Sequence, residues 1–324
     1  MYVSSQSPYY DDFDETKKFY RVLFRPGRAV QARELTQLQS ILQKQIERFG
    51  SHIFKEGSIV IPGSQFYEKN YSYVKLQSTY SAVDADDVID DLVGEILIGQ
   101  TNNVRAIVVK AVSSEGTDPP TIYVKYLNSG TNGTTYVFDD NEILQQDTGG
   151  SPISVRVLSS NATGVGTAFS IKSGVLFIKG VFAYFGDSTL IVSKYSRQTS
   201  DKKIGFLITE EIIDNQDDAT LLDPAVGTAN YFAPGADRYK LDLTLEARGL
   251  SFDSAIDDTN FVELLRIQNN EVVFQKPKVE YNILADELAR RTFDESGDYS
   301  VIPHKIDLIE HLRSSNTVVD GYLS

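Results

Sequence analysis

From Ala32 to Ile53 the apolar residues recur at Leu35, Leu38, Ile41, Leu42, Ile46, Phe49 and Ile53. Gaps of three and four residues put them on one side of an α-helix. Glu34, Gln37, Gln39, Gln43, Lys44, Glu47 and Arg48 stand between them, all good helix formers. Upstream, Arg25-Pro26-Gly27 marks a turn, because the ring of a proline disfavours helix at the residue before it. Neither Gln31 nor Gly27 is a strong capping residue. Gly57 is the predicted stop in the left-handed conformation. Gly50 sits inside the pattern at a cost of about 1 kcal/mol relative to alanine.

Set as heptads, Leu35, Leu42 and Phe49 occupy one seam position, and Leu38, Gln45 and His52 occupy the other. Two of these six candidate interface residues are polar, and a polar seam residue sets register and oligomer number at some cost in stability. Two readings stand side by side. One is an ordinary surface helix covering a sheet of its own domain. The other is a helix that joins subunits. Three heptads do not decide between them.

The segments around this helix predict a mainly β chain of several domains, with a long N-terminal α-helix and antiparallel modules of small barrel or sandwich type. Residues 1–24 are predicted to be an extended docking arm. It is rich in aromatic residues (Tyr2, Tyr9, Tyr10, Phe13, Phe19 and Tyr20), which favour interfaces with a partner or with the body. Strands are predicted at 58–61, 71–77, 94–98, 104–112, 121–127 and 135–138. Between them lie turn clusters such as Asp118-Pro119-Pro120 and Asn128-Ser129-Gly130. Residues 161–166 are predicted as a loop. Further strands fall at 204–213, 239–246, 261–267 and 271–274, and a second helix at 282–291.

An internal echo organises the domains. Gly57–Gly63, followed by Tyr67, resembles Gly174–Gly180, followed by Tyr184: an apolar strand ends at glycine, reverses, and returns with aromatics. The expectation is a discontinuous helix and hairpin domain (25–79 plus 166–200) with a small antiparallel β domain (80–165) inserted at a loop. A β domain at 201–280 follows. A helix and linker at 281–324 lead towards a further C-terminal part. The alternative is two unrelated hairpins that share turn grammar.

Composition narrows the functional classes. The chain has 324 residues and 41% hydrophobic content, with 18 Tyr, 17 Phe and no Cys. Disulfides, thiolate metal sites and cysteine nucleophiles are therefore excluded. No apolar run is long enough to insert into a membrane as a helix. The net charge of −14 disfavours general nucleic-acid binding. The charge is uneven, since residues 1–60 carry nine Lys and Arg against seven Asp and Glu, a near-neutral end on an acidic body.

Catalytic signatures are lacking. The three histidines have no nucleophile pattern nearby, and neither a metalloprotease helix motif, a nucleophile elbow nor a phosphate loop occurs. Asp84, Asp86 and Glu95 match three positions of a calcium loop, but Ile89 stands where that loop needs glycine, so a solvated acidic loop or short helix is expected. No catalytic residue, metal or cofactor is assigned.

Several blocks resemble a family of bacteriophage virion proteins that carry a domain of unnamed function, DUF4815. The residues are Tyr10–Phe13, Arg21–Gln39, Gln45–Gly50, His52–Gly57 and Pro62-Gly63, and, later, Ala285–Tyr299. The resemblance implies a non-enzymatic structural component of the tail baseplate, or of a fibre attached to it, in contractile-tailed phages. It implies a homotrimer whose N-terminal portion docks on other tail or baseplate proteins, assembled in the bacterial cytoplasm and located in the virion. The alternative is a tail-fibre module that binds host-surface carbohydrate, because tyrosine-rich β surfaces can stack on sugars.

Overall fold

A computed structural model describes residues 7–131, 133–148, 152–251, 259–277, 282–297, 308–312 and 318–323. Tyr2, Asn132 and His304 lie outside these. The chain forms two units, residues 1–280 and 281–324. It is mainly β, built of antiparallel sheets, with one long helix near the N-terminus.

That helix is α1, Ala32–Ile53. Gln31 is its N-cap, and the Glu34 carboxylate accepts a hydrogen bond from the Gln31 N–H at 2.9 Å, the return half of a capping box. The helix does not run on to Gly57. It ends where Phe54 turns extended and buries its ring against Phe177 and Phe182, at centroid distances of 6.1 and 5.9 Å. Gly57 takes its left-handed φ of +79° in the turn that follows.

β1 (Ser58–Ile61) leaves that turn, and β2 (Gln65–Lys75) begins the larger sheet. β3 (Thr79–Tyr80), β4 (Val83–Asp84) and a single helical turn, α2 (Ala85–Val88), lead into β5 (Ile96–Gly99). β6 (Arg105–Val112), β7 (Thr121–Tyr126), β8 (Ile143–Gln146) and β9 (Ser154–Arg156) follow. β10 (Thr163–Ile171), β11 (Gly174–Ile178), β12 (Val181–Phe185) and β13 (Ser188–Ser193) return to the first part of the chain. An eight-stranded sheet runs in the order β13-β10-β2-β7-β6-β5-β8-β9, so the strands of residues 80–165 continue the sheet begun by β2. A three-stranded sheet, β1-β11-β12, contains the two echoing segments, which are direct neighbours with Ser58 opposite Phe177 and Ile59 opposite Leu176.

β14 (Lys202–Ile213), β15 (Arg238–Gly249), β16 (Phe261–Gln268) and β17 (Glu271–Gln275) make a four-stranded sheet in the order β15-β14-β16-β17. Two cores result. Val74, Leu76, Leu97, Ile122, Phe138 and Leu144 pack within the far half of the large sheet. Ile59, Phe169, Leu176, Phe206 and Leu265 join the near half to the three- and four-stranded sheets. The second unit contains α3 (Asn282–Ser296) and the hairpin β18 (Leu308–Leu312) with β19 (Val318–Leu323).

Two local expectations need correction. Residues 135–138 are irregular instead of a strand, because Phe138 turns inward as a fully buried anchor against Tyr126. Residues 163–166 are not a loop but the start of β10. Gly164 lies under the Tyr73 ring and Gly166 against the carbonyls of Ser193 and Lys194, where a Cβ would collide. Glycine in a strand marks such a close approach.

Candidate assembly interface

α1 has three sides with different surroundings. The first rests on the body. Gly50 lies flat against the buried Phe177 ring, whose Cε2 would be 2.4 Å from an added Cβ. One turn earlier Glu47 covers Gly180. Gly180 and Lys179 form the two-residue turn between β11 and β12, with φ of +76° and +48°, the pairing that suits the twist of a tight hairpin. The turn is pinned on both sides. The Lys179 N–H donates to the Glu56 carboxylate, and the Lys179 ammonium pairs with Glu210. The Tyr239 hydroxyl donates to the other Glu210 oxygen at 2.6 Å. Lys179 first, and Tyr239 second, hold the Glu210 carboxyl below its ordinary pKa.

The second side is covered by the arm. Ser40 donates to Asp11, Arg33 pairs with Asp12 at 3.2 Å, and Arg48 pairs with Glu15. Phe13, Ile41 and Gln45 line a small cavity between arm and helix. The predicted arm residues divide. Tyr9 and Phe13 are half-buried, and the Tyr9 hydroxyl donates to Asp237 at 2.6 Å. Tyr10, Phe19 and Tyr20 are exposed, with Leu23 beyond them.

The third side is open, and it is the apolar one. Leu35 is 50% exposed, Leu42 57%, Ile46 47% and Phe49 66%. These four fall within about 40° of Leu42 around the helix axis, while Glu47, Ser40 and Thr36 lie roughly opposite, on the covered flanks. The helix thus buries only Ile41 and Gly50, half-buries Thr36, Ser40 and Glu47, and leaves most of its apolar stripe outward, where an ordinary surface helix would turn that stripe to its own core.

This geometry places the predicted seam residues unequally. Leu35, Leu42 and Phe49 share the open side. Leu38 is half-buried at its edge. Gln45 and His52 are exposed, but Gln45 lies on the flank beside the arm. Ile46 takes the place on the stripe that the heptad frame gave to Gln45. The exposed run follows Leu35, Gln39, Leu42, Ile46 and Phe49, alternating steps of four and three with Gln39 as its single polar member, and the half-buried Ile53 continues the period. Ile46 was visible in the apolar period. What hid its role was the choice between a frame stepping three then four and one stepping four then three.

The acidic segment has a local explanation. Asp84 caps α2 by accepting from the Asp86 N–H at 3.0 Å, and Asp86 accepts from the N–H and hydroxyl of Ser114. Among the described residues no cluster of three or more His, Asp or Glu is arranged to hold a metal ion, and no helix is long and apolar enough to cross a membrane.

The profile of a protein family described as a domain of unknown function, DUF4815, matches residues 7–84 and 134–319. The chain belongs to the DUF4815 family. The first DUF4815 stretch contains arm residues 7–24, α1, β1 and β2, and the second contains Phe177 and Gly180, on which α1 rests. Residues 85–133, between the two matched stretches, carry α2, β5, β6 and β7. No curated protein and no solved structure matches the chain.

Proposed function

We propose that this DUF4815 protein is a structural part of a bacteriophage tail, in the baseplate or a fibre attached to it, and that its N-terminal region joins copies into a homotrimer docked on the particle. The observation that carries the reading is the outward apolar stripe Leu35-Leu42-Ile46-Phe49 on a helix already anchored to its own body by the opposite side. A monomer gains nothing by exposing such a stripe, whereas burial against equivalent helices removes it from water. The stripe spans most of a helix about 33 Å long, and Gln39 within it supplies the polar position that selects register. The exposed Phe19, Tyr20 and Leu23 of the arm extend the apolar surface towards a neighbouring tail protein. The phage assignment itself rests on the resemblance of the arm and helix blocks, and the barrel- or sandwich-like β modules fit a rigid virion part.

The test is incorporation. Phage carrying Leu42→Glu together with Phe49→Glu are expected to assemble particles that lack the subunit, while the variant chain accumulates folded in the cell. Particles with the normal complement of the double variant, or a map of the intact particle without this chain, would overturn the reading.

A further inference from the structure

Beside the stripe, α1, β12, β15 and the segment around Ala236 enclose a cleft of about 870 Å³, a size typical of ligand sites, which run from about 300 to 1,000 Å³. Its lining differs from that of the stripe. Gln43 projects from α1, and Tyr184, Tyr239 and Arg238 come from the facing strands. Tyr184 is 69% exposed, and neither its hydroxyl nor the Gln43 amide has a hydrogen-bond partner among the described residues. The charges balance in number: Lys179 pairs with Glu210, while Asp237, which accepts from the Tyr9 hydroxyl, and Arg238, whose guanidinium donates to the Ala236 carbonyl at 2.6 Å, contribute one of each sign. The cleft therefore offers an accessible aromatic ring, a free amide with two donors and one acceptor oxygen, and no unmatched net charge.

We infer that this cleft binds a neutral oligosaccharide, with a sugar ring lying on Tyr184 and its hydroxyls bonded by Gln43. Aromatic faces suit the C–H face of a pyranose, since they present an apolar body beside a polar tip. An amide that both donates and accepts suits a vicinal diol. An anionic ligand is disfavoured by Asp237 and Glu210 beside the two cations, and a purely apolar one by the polar lining. Gln39 of the stripe also borders the cleft, but the two residues given the sugar contacts, Gln43 and Tyr184, are not on the stripe, so the inference can be tested apart from the assembly reading.

The test uses the full chain and a panel of neutral tri- to hexasaccharides built from glucose, mannose, galactose or N-acetylglucosamine, titrated by calorimetry and by saturation-transfer NMR. At least one member is expected to bind saturably. Tyr184→Ala should weaken it about tenfold, the loss of one aromatic stacking contact, with Gln43→Ala also weakening it. Melting temperature and oligomeric mass should stay unchanged in both variants. No saturable binding across the panel, binding confined to sialylated or sulfated controls, or binding untouched by both substitutions would overturn the inference. So would a change of oligomeric mass in Tyr184→Ala, which would make the cleft a protein contact. Loss of the oligomer in Leu42→Glu with sugar binding retained would separate this site from the assembly surface.

Discussion

Gly50 shows how a single residue can look like a defect in sequence and be required in structure. Its helix cost of about 1 kcal/mol is offset by the close seat of α1 on the Phe177 ring. Gly50→Ala is therefore expected to destabilise the fold by about 1–3 kcal/mol, in spite of alanine's higher helix propensity, because the buried ring cannot retreat. Chemical denaturation checks this, and a stabilised variant would mean that the contact gives way. At the hairpin turn, Glu210 makes a pH-dependent contribution. Its folded pKa lies below the unfolded value, so its stabilisation is complete above the ordinary glutamate range and disappears as pH falls through the folded value. The melting-temperature gap between wild type and Glu210→Gln should accordingly be open at neutral pH and close as pH drops below about 4.

At the scale of elements, much was legible. α1 fills the 22 residues of the apolar period, Ala32–Ile53, but ends at the extended Phe54, short of the predicted stop at Gly57. β1 and β14–β17 follow β-branched and aromatic runs and lie near their predicted bounds. The failures have local causes. β8, Ile143–Gln146, carries two glutamines and was missed, while Thr135–Phe138 has strand-like composition but a single inward anchor, Phe138. Glycines 164 and 166 imitate a loop where two neighbours crowd one strand. The orientation of α1 was not legible at all, since amphipathicity reports that a helix has two faces and not which one its own body covers. That orientation separates two otherwise similar substitutions. Ile46→Glu should abolish self-association, and Gln45→Glu, one residue away on the arm flank, should leave it nearly intact; light scattering of the two variants decides this. Equal effects would restore the frame in which Gln45 belongs to the seam.

For the whole molecule, one anchored helix and an arm present apolar side chains outward from a body whose two cores are complete without them. The net charge of −14 lies mostly outside the first 60 residues, which are near neutral, so in the proposed trimer charge repulsion would be weakest where α1 of each copy packs. The stripe can therefore be altered without unfolding the protein, since exposed substitutions usually change stability by no more than about 0.5 kcal/mol. Sedimentation equilibrium of the full chain tests most directly whether α1 joins copies of this protein. The expected result is a species of about three chain masses, each 36.1 kDa, that falls to a single mass in Leu42→Glu with the melting temperature unchanged. A wild-type chain that stays at 36.1 kDa across the concentration range, or a Leu42→Glu oligomer identical to wild type, would contradict it.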